Sequence, residues 1–375
     1  MKLKISALIM ATCLLGSCAN RLAVEALRCE YQTNPVGIDV DSPRFSWIIT
    51  AGERGVHQQS YRIIVSNSRN EVLNKLGNQW DSGWTESDNT INVAYEGQPL
   101  AGNHTYFWRT ASLINGKEVW SEPAIFHTGL LRQNEWNAKW LSTDETLLHA
   151  SPLFRKDFTI DKKVKNAHVY VTAAGICELY LNGRKVGSDV LHPAVSDYRK
   201  TVLYSVYDVT TLLQTGGNAF GVMLGNGAYN MRAAKDRYSW DGTQLGNPSF
   251  SVQLNVVYED GSEAVVISDG GWKYTFGPVI FNHIYGGEDY DARKEITGWA
   301  NAGTDDSAWR NAAIVPGPGG KLRWQETPIQ VTDVITPIAT TNPAKGVYLF
   351  DLGQNIAGWW RIELKGKAGQ TVKNI

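Results

Sequence analysis

Alternating apolar and polar residues flank an Asn-Gly pair near the middle of the chain. Residues 176–186 read ICELYLNGRKV, with Asn182 and Gly183 at the centre. Asn-Gly accepts positive φ angles at both central positions of a type I′ turn, whose twist matches that of two antiparallel strands. The pattern therefore predicts a β-hairpin at this point.

The same two-residue period recurs along most of the chain and predicts an all-β protein. Residues 204–209 and 219–224 are predicted strands, with a short helical turn at Leu212-Leu213 between them. Residues 251–258 alternate in the same way, and Asp260-Gly261 predicts a hairpin into residues 264–267. Fourteen Trp, sixteen Tyr and 36 Gly favour β-sandwiches over helical bundles.

Turn signals divide the predicted strands into modules. Residues 21–131 are predicted to form a first sandwich, and residues 136–151 a linker. Residues 140–324 are predicted to form a second module, which includes part of this linker. A third module begins at residue 328 and runs to 375, with Trp360, Ile362 and Leu364 on one strand face. These few strands do not close a sandwich, which predicts that the chain is part of a longer protein.

Four motifs carry a resemblance to a known family. They are the LYLNG hairpin, the run GGNAFGVMLGNG at 216–227, YGGEDYDAR at 285–293 and FDLGQNIAG at 350–358. Their order resembles the N-terminal region of bacterial α-L-rhamnosidases, glycoside hydrolase family 78. NPVGID at 34–39, followed by PRFSW at 43–47, is similar to the domain that opens these enzymes.

The resemblance implies a fold and an activity. It implies a fibronectin-III/Ig-like sandwich at 21–131, a jelly-roll-like β-sandwich at 140–324 and the truncated start of a concanavalin-like β-domain at 328–375. The family removes terminal α-L-rhamnose from glycans with inversion, through glutamates of a helical barrel that follows these domains. The missing C-terminal catalytic domain would then be a partner of this region, and no residue here is expected to be catalytic.

Residues 1–18 are predicted to be a bacterial lipoprotein signal peptide. Lys2 and Lys4 precede an apolar run at 5–15, which is too short to span a bilayer. The small residues of LGSC place Cys18 as the lipidated residue, although an ordinary signal peptide with a chance cysteine is the alternative. A lipid anchor would attach the protein to the cell envelope, and we expect the outer membrane, facing the periplasm.

The charge, cysteine and histidine content argue against a nucleic-acid partner, a disulfide and a metal site. The formal charge of −1 becomes −3 without the two leader lysines, so a nucleic-acid partner is not expected. Cys29 and Cys177 fall in different predicted modules and are expected to be buried thiols rather than a disulfide. The seven histidines lack metal-ligand spacing and are predicted to lie on surfaces or in turns, and no cofactor is expected.

Three carboxylates in the motif Glu288-Asp289-Tyr290-Asp291 raise the alternatives of calcium binding and catalysis. In a strand only Asp289 and Asp291 share a face, with about 6.5–7 Å between them. Inverting glycosidases need two carboxyl groups about 6.5–9.5 Å apart. A loop that is salt-bridged to Arg293 is the simpler interpretation.

A connection of about 25 residues at 225–249 is the best candidate site, because long sandwich loops are usually functional. Its aromatic residues could stack on a sugar, Tyr238 among them, and its amides could bind hydroxyls. The predicted carbohydrate-binding residues are Asn182, Tyr198, Asn226, Tyr229, Asn230, Arg232 and Trp240. Packing against a catalytic domain is the alternative role for this loop.

Three functions remain open at this level. The chain is the non-catalytic N-terminal portion of an α-L-rhamnosidase, a stand-alone rhamnose-binding lectin, or a structural adhesion lipoprotein. The unfinished third module favours the first.

Overall fold

The computed structural model describes residues 22–234, 237–363 and 365–367, and it confirms an all-β architecture. The first sandwich also carries one short helix, α1 (Arg69–Leu73). Its strands are β1 (Ala23–Cys29), β2 (Val36–Ile38), β3 (Arg44–Thr50), β4 (Gln58–Ser66), β5 (Trp80–Asp81), β6 (Thr85–Glu86), β7 (Val93–Ala94), β8 (Thr105–Ile114), β9 (Lys117–Trp120) and β10 (Ala124–Thr128).

Two sheets make up this immunoglobulin-like domain. One has the order β1-β3-β7, and the other has the order β2-β10-β8-β4-β5, with β6 on β4 and β9 on β8. Phe45, Trp47, Trp108 and Phe126 are buried between the sheets, as the period-2 pattern of β3 and β8 requires. The aromatic core thus comes from inward positions of both sheets.

A second, larger sandwich follows. Its strands are β11 (Trp140–Ser142), β12 (Pro152–Ile160), β13 (Val164–Ala174), β14 (Ile176–Leu181), β15 (Arg184–Lys185), β16 (Thr201–Asp208), β17 (Gly216–Gly225), β18 (Ser249–Tyr258), β19 (Glu263–Ile267), β20 (Lys273–Phe276), β21 (Val279–His283), β22 (Gly287–Tyr290), β23 (Arg310–Asn311), β24 (Ala313–Val315) and β25 (Lys321–Trp324). Short 3₁₀ helices occupy Gln133–Glu135, Thr210–Leu212 and Ala292–Lys294.

Its two main sheets have the orders β24-β11-β18-β13-β16-β25, with β19 on β18, and β15-β14-β17-β12-β20-β23. Phe154, Phe220, Phe250 and Trp272 fill the space between them. Strands β21 and β22 form a separate hairpin. This hairpin and the β17–β18 connection lie outside the main sheets, where they are available for other contacts.

The predicted Asn-Gly hairpin is present. Strands β14 and β15 pair with Leu181 opposite Arg184, and the turn residues Asn182 and Gly183 have φ angles of 51° and 76°. Both values lie in the left-handed region that a type I′ turn requires.

The two sandwiches share a buried interface. Tyr170, Tyr204 and Trp324 of the second sandwich pack into the same apolar cluster as the core of the first. Gly37 in β2 lies directly against this cluster, since a Cβ there would come 2.7 Å from both Trp324 and Val206. This contact leaves no room for any side chain at position 37.

Beyond the second sandwich the described chain forms a hairpin of β26 (Ala339–Ala344) and β27 (Val347–Asp351). All residues of both strands are exposed. The prediction of a strand containing Trp360 and Ile362 was wrong, because these exposed residues lie in irregular chain. Leu364 lies outside the described residues. A strand needs a neighbour for its backbone groups, and none of the described strands pairs with residues 352–363.

Two further expectations need correction. The predicted linker at 136–151 contributes β11 to the second sandwich, and its Leu147 is buried. The histidines are not all at the surface, because His127, His168, His192 and His283 are buried. Cys29 and Cys177 are buried free thiols, as predicted. Within the described residues, no helix has the length and hydrophobicity needed to cross a bilayer.

Candidate functional site

The connection between β17 and β18 is an antiparallel ribbon rather than an open loop. Met231 N donates to Thr243 O at 2.7 Å, and Gly242 N donates to Met231 O at 3.0 Å. An isolated β-bridge pairs Asn230 with Gln244. Ala234 and Tyr238 exchange both of their backbone hydrogen bonds, each at 2.7 Å, so the pairing continues along the ribbon.

Buried asparagines anchor the base of this ribbon. Nδ2 of Asn230 donates to Leu147 O at 3.0 Å and to Asn226 Oδ1 at 2.8 Å. Oδ1 of Asn230 accepts from Arg232 Nε at 3.1 Å, and Nδ2 of Asn226 donates to Leu148 O at 3.3 Å. When the oxygen and the nitrogen of a buried amide both have partners in the protein, the amide stabilises the fold, since a ligand would have to break these hydrogen bonds. The structure thus buries both asparagines, which the sequence analysis had predicted to bind sugar hydroxyls.

Asn282 connects the same base to the β21–β22 hairpin. Its Oδ1 accepts from Asn226 N at 2.7 Å, and its backbone N donates to His149 O at 2.7 Å. The ribbon, the hairpin and residues 147–149 are therefore held in one hydrogen-bonded unit.

Three other predicted sugar contacts also have internal partners. Tyr198 and Tyr229 are buried against each other, with ring centroids 5.1 Å apart and an interplanar angle of 85°. Burial raises the pKa of Tyr198 to about 12, and Tyr229 adds to this effect. Nδ2 of Asn182 donates to Leu212 O at 2.9 Å and to Asn218 Oδ1 at 2.8 Å. The two tyrosines therefore pack in the interior, and Asn182 fixes a turn with a different set of partners.

Aromatic rings cluster where the ribbon meets the β21–β22 hairpin. Tyr238 stacks on Tyr285 with ring centroids 5.3 Å apart at 27°, and its centroid lies 6.3 Å from that of Trp240. Trp240 is 66% exposed and Tyr285 is 65% exposed. We call Tyr238, Trp240 and Tyr285 the aromatic platform. Of the seven predicted site residues, only Trp240 belongs to it.

A buried histidine lies next to the platform. Nδ1 of His283 accepts hydrogen bonds from Tyr285 N at 3.1 Å and Gly286 N at 2.9 Å, so its proton resides on Nε2. The His283 ring lies 4.8 Å from that of Tyr238. Nε2 is buried and has no hydrogen-bond partner among the described residues. A donor of this kind is stabilised by any hydroxyl or water that reaches it.

His149, which is half-buried, lies beside the same hairpin. Its ring lies 4.9 Å from that of Phe281, and its Nδ1 has no hydrogen-bond partner within residues 22–234, 237–363 and 365–367. Burial lowers the pKa of His149, and the neighbouring His283 and Arg232 lower it further. The surroundings of His149 therefore favour its neutral form.

An ion pair joins the ribbon to the β21–β22 hairpin. Nη2 of Arg237 donates to both carboxylate oxygens of Asp289, at 2.6 and 2.7 Å. The guanidinium also lies over the Phe281 ring, 4.7 Å from its centroid. This pair forms a charged edge beside the aromatic platform.

The remaining carboxylates of the 288–291 motif have a structural role rather than one in metal binding or catalysis. Arg293 Nε donates to Asp291 Oδ1 at 2.8 Å, as the salt-bridged interpretation predicted, and Arg293 lowers the pKa of Asp291 to about 2. Burial raises the pKa of Glu288, and Glu178 adds to it. No group of three potential metal ligands occurs among the described residues, so the calcium alternative gains no support.

Sequence reasoning missed Tyr285, His283 and Arg237 as parts of this region. Tyr285 stood in the YGGEDYDAR motif, yet nothing in the local pattern showed that this hairpin folds against a ribbon about 45 residues earlier. Such pairing is a tertiary contact without a local signal.

Three family models match the chain in sequence order. They are a Rha78A-like N-terminal immunoglobulin domain over residues 24–132, the α-L-rhamnosidase N-terminal domain over 162–333 and the bacterial α-L-rhamnosidase concanavalin-like domain over 341–374. The chain belongs to the bacterial α-L-rhamnosidase family. Two of the three matched models are described as N-terminal domains.

Curated relatives of this rhamnosidase region agree. An α-L-rhamnosidase of Formosa agariphila is 36% identical over 372 residues, which cover 92% of this chain and 39% of the relative. One from Alteromonas sp. (strain LOR) is 33% identical over 355 residues, covering 90% of this chain and 38% of the relative. The chain therefore spans less than two fifths of the length of these relatives.

A solved structure gives the same picture. The α-L-rhamnosidase from Dictyoglumus thermophilum has a TM-score of 0.81 and 38% identity, covering 90% of this chain and 39% of that one. The rhamnosidase fold described above is therefore shared with a solved relative over almost the whole chain.

Proposed function

We propose that this chain is the non-catalytic, β-rich N-terminal portion of an α-L-rhamnosidase that removes terminal α-L-rhamnose from glycans with inversion. The observation that supports this is the ordered series of three rhamnosidase domain matches, together with relatives that carry the name α-L-rhamnosidase. These names favour an enzyme portion over the lectin and adhesion alternatives.

The arrangement of acidic side chains supports a non-catalytic role. Inversion requires one carboxyl group to donate a proton and a second to activate water. In the described 285–295 region, Asp289 is held by Arg237 and Asp291 by Arg293. Both carboxylates therefore already have a guanidinium partner.

An aryl α-L-rhamnoside tests this proposal. The purified chain should release no p-nitrophenol above the rate of a buffer blank. Turnover that is lost on Asp289→Asn or Asp291→Asn would contradict the proposal. Reading the coding DNA past Ile375 provides an independent test, since the proposal expects a continuing frame that encodes a helical, glutamate-bearing domain.

Strand β27 carries exposed apolar side chains that a further sheet would cover. Val347, Leu349 and Phe350 are 50%, 61% and 51% exposed, and a two-stranded hairpin alone is only marginally stable in water. We propose that sequence equivalent to the rest of the relatives covers this surface. Hydrogen exchange at residues 339–351 should slow when that sequence is expressed in the same polypeptide. Unchanged exchange would exclude such a cover.

We also propose that the chain is exported and lipid-anchored at Cys18, in the outer membrane facing the periplasm. The supporting features are Lys2, Lys4, the apolar run at 5–15 and the LGSC sequence. In a bacterial host, labelled palmitate should be incorporated into the wild-type chain and not into Cys18→Ser. Equal labelling of both chains would exclude Cys18 as the acceptor, and fractionation would identify the membrane.

A further inference from the structure

We propose that Asn115 is a site of spontaneous covalent modification, at which the side-chain amide deamidates through a cyclic succinimide. The chain holds three Asn-Gly pairs, at 115–116, 182–183 and 226–227. Asn-Gly is the sequence most prone to this reaction, because glycine has no Cβ to hinder its backbone nitrogen. The three pairs differ in how firmly the protein holds each asparagine amide.

The reaction takes place within the turn and needs only water. The backbone nitrogen of Gly116 loses its proton and attacks Cγ of Asn115, and the Cγ–Nδ2 bond breaks to release ammonia. Water then opens the succinimide at one of its carbonyls, which gives aspartate or isoaspartate. Because Cγ must turn toward the next nitrogen, an amide that is held by hydrogen bonds reacts only after local opening.

Two of the pairs have the same backbone conformation but different side-chain surroundings. Asn115-Gly116 joins β8 to β9 with φ angles of 50° and 75°, and Asn182-Gly183 joins β14 to β15 with 51° and 76°. Oδ1 of Asn182 accepts from Ala219 N at 2.9 Å, and its Nδ2 donates to two further partners. Asn115 is exposed, and its amide has no hydrogen-bond partner among the described residues. Since the turns match, only the side-chain contacts distinguish their reactivity.

The third pair is protected by burial. Asn226 is 2% exposed, its Nδ2 donates to Leu148 O at 3.3 Å and its Oδ1 accepts from Asn230 Nδ2 at 2.8 Å. Deamidation there requires that the base of the β17–β18 connection opens. Asn115 is therefore the pair that reacts in the folded protein.

Gln59 slows the reaction at Asn115. The nucleophile, Gly116 N, donates to Gln59 Oε1 at 3.1 Å, and it must lose this hydrogen bond before it attacks. Gln59 is exposed, so water replaces it readily. Gly183 N instead donates to the backbone oxygen of Ala300 at 2.9 Å, which a side-chain rotation cannot release.

The modification changes both the charge and the backbone of the β8–β9 turn. Each product carries a carboxylate in place of the Asn115 amide, beside Lys117 on the wall of the same depression. Isoaspartate also adds one carbon to the main chain. Because a two-residue turn fixes the register of its strands, the pairing of Ile114 with Lys117 is expected to be disturbed.

Peptide mapping by mass spectrometry, after incubation of the folded full chain at mildly alkaline pH, tests the proposal. The fragment with Asn115 should gain the mass difference between OH and NH2 at least about tenfold faster than the fragments with Asn182 and Asn226. The urea-unfolded chain is the control. There the protecting contacts are lost, and the three rates should agree within about threefold.

Two variants test the part played by Gln59. Gln59→Ala should raise the rate at Asn115 about threefold, because the nitrogen of Gly116 loses its partner. Gln98→Ala, which changes an exposed glutamine of the same sandwich, should leave that rate unchanged. Labelling of the Asn115 fragment by a protein isoaspartate methyltransferase should follow the mass change.

Several outcomes would overturn the proposal. They are equal rates at the three pairs in the folded chain, and an unmodified Asn115 under conditions that modify the unfolded chain. A mass gain without methyltransferase labelling would exclude the succinimide route. A rate that Gln59→Ala does not raise would contradict the role of the hydrogen bond to Gly116.

Discussion

A single buried arginine holds the end of the second sandwich. The Arg155 side chain is fully buried, and its Nε donates to Trp299 O at 3.1 Å. Its Nη2 donates to Asn301 O at 3.0 Å, and the guanidinium pairs with Asp157 and Asp306. A buried charge with this many partners ties residues 299–306 to β12.

Arg155→Met should lower the free energy of unfolding by about 3 kcal/mol, because two carbonyls and two carboxylates each lose one donor. Urea unfolding measures the change. Arg293→Met is the matched control, since Arg293 is 89% exposed and pairs with one carboxylate, so a much smaller change is expected. Equal effects of the two substitutions would show that burial of Arg155 does not matter.

Histidine burial shows where residue-level prediction failed. The absence of metal-ligand spacing gave no information about which histidines are buried. His127 and His168 are buried because two sandwiches meet there, and His283 because a hairpin folds back under a ribbon. These contacts join residues that are far apart in the chain.

At the scale of the element, the Asn-Gly hairpin combines a local and a tertiary determinant. Positive φ at both turn positions follows from the residue types. In addition, Asn182 Oδ1 accepts from Ala219 N at 2.9 Å, and its Nδ2 has the two partners described above. The turn is therefore bonded to the neighbouring strand β17, which the sequence pattern did not indicate.

Asn182→Ala should destabilise the protein by about 3 kcal/mol, because buried hydrogen-bonding groups lose partners and alanine disfavours positive φ. Asn115→Ala is the control. Asn115 occupies a comparable Asn-Gly turn at φ 50° but is exposed, so only the conformational cost of about 1 kcal/mol applies. Thermal unfolding compares the two, and a larger effect at Asn115 would contradict this account.

Element prediction succeeded where the pattern was regular and failed near the end of the described chain. Strands β14, β16, β17 and β18 were predicted from alternation and are present, and β14 buries alternate residues against one core. Trp360 and Ile362 alternate with polar residues just as clearly, yet no sheet among the described residues includes them. A segment with an apolar face forms a strand only when a neighbouring strand makes hydrogen bonds to its backbone.

At the scale of the whole molecule, the first two sandwiches are joined by close packing. Gly37→Ala should lower stability by about 2–3 kcal/mol, because the new methyl group meets Trp324 and Val206 and the residue keeps a φ of 112°. Gly216→Ala has a similar φ of 98° but open space, so about 1 kcal/mol is expected. Equal losses, measured by urea unfolding, would show that the interface can relax.

The same interface should make stability depend on pH. His127 and His168 stack with centroids 3.6 Å apart, and Nε2 of His127 lies 3.3 Å from the Tyr170 hydroxyl. Burial lowers the pKa of both histidines, with His168 lowering that of His127 further and Asp208 partly opposing the shift at His168. Burial also lowers the pKa of His192 to about 4.

The sign follows from proton uptake. Below the ordinary pKa of 6.5 the unfolded chain binds protons that the native histidines do not. Stability should therefore be full above pH 6.5 and decline as the pH falls, with the His192 contribution lost down to about pH 4.

Denaturant midpoints between pH 7.5 and 4.5 measure this decline. His168→Phe should reduce the slope by up to about 1.4 kcal/mol per pH unit, and the exposed His57→Gln should leave it unchanged. A slope that His168→Phe does not alter would exclude the interface as its source.

The sequence alone determined the all-β class, the Asn-Gly hairpin, the long β17–β18 connection and the family, because these depend on short-range alternation, turn chemistry and motif order. Tertiary structure alone decided which polar side chains are used internally and which rings reach solvent. It buried Asn226, Asn230 and Tyr229 and brought Tyr285 to Tyr238. Burial and stacking are set by distant segments that meet in space, and no local pattern contains that information.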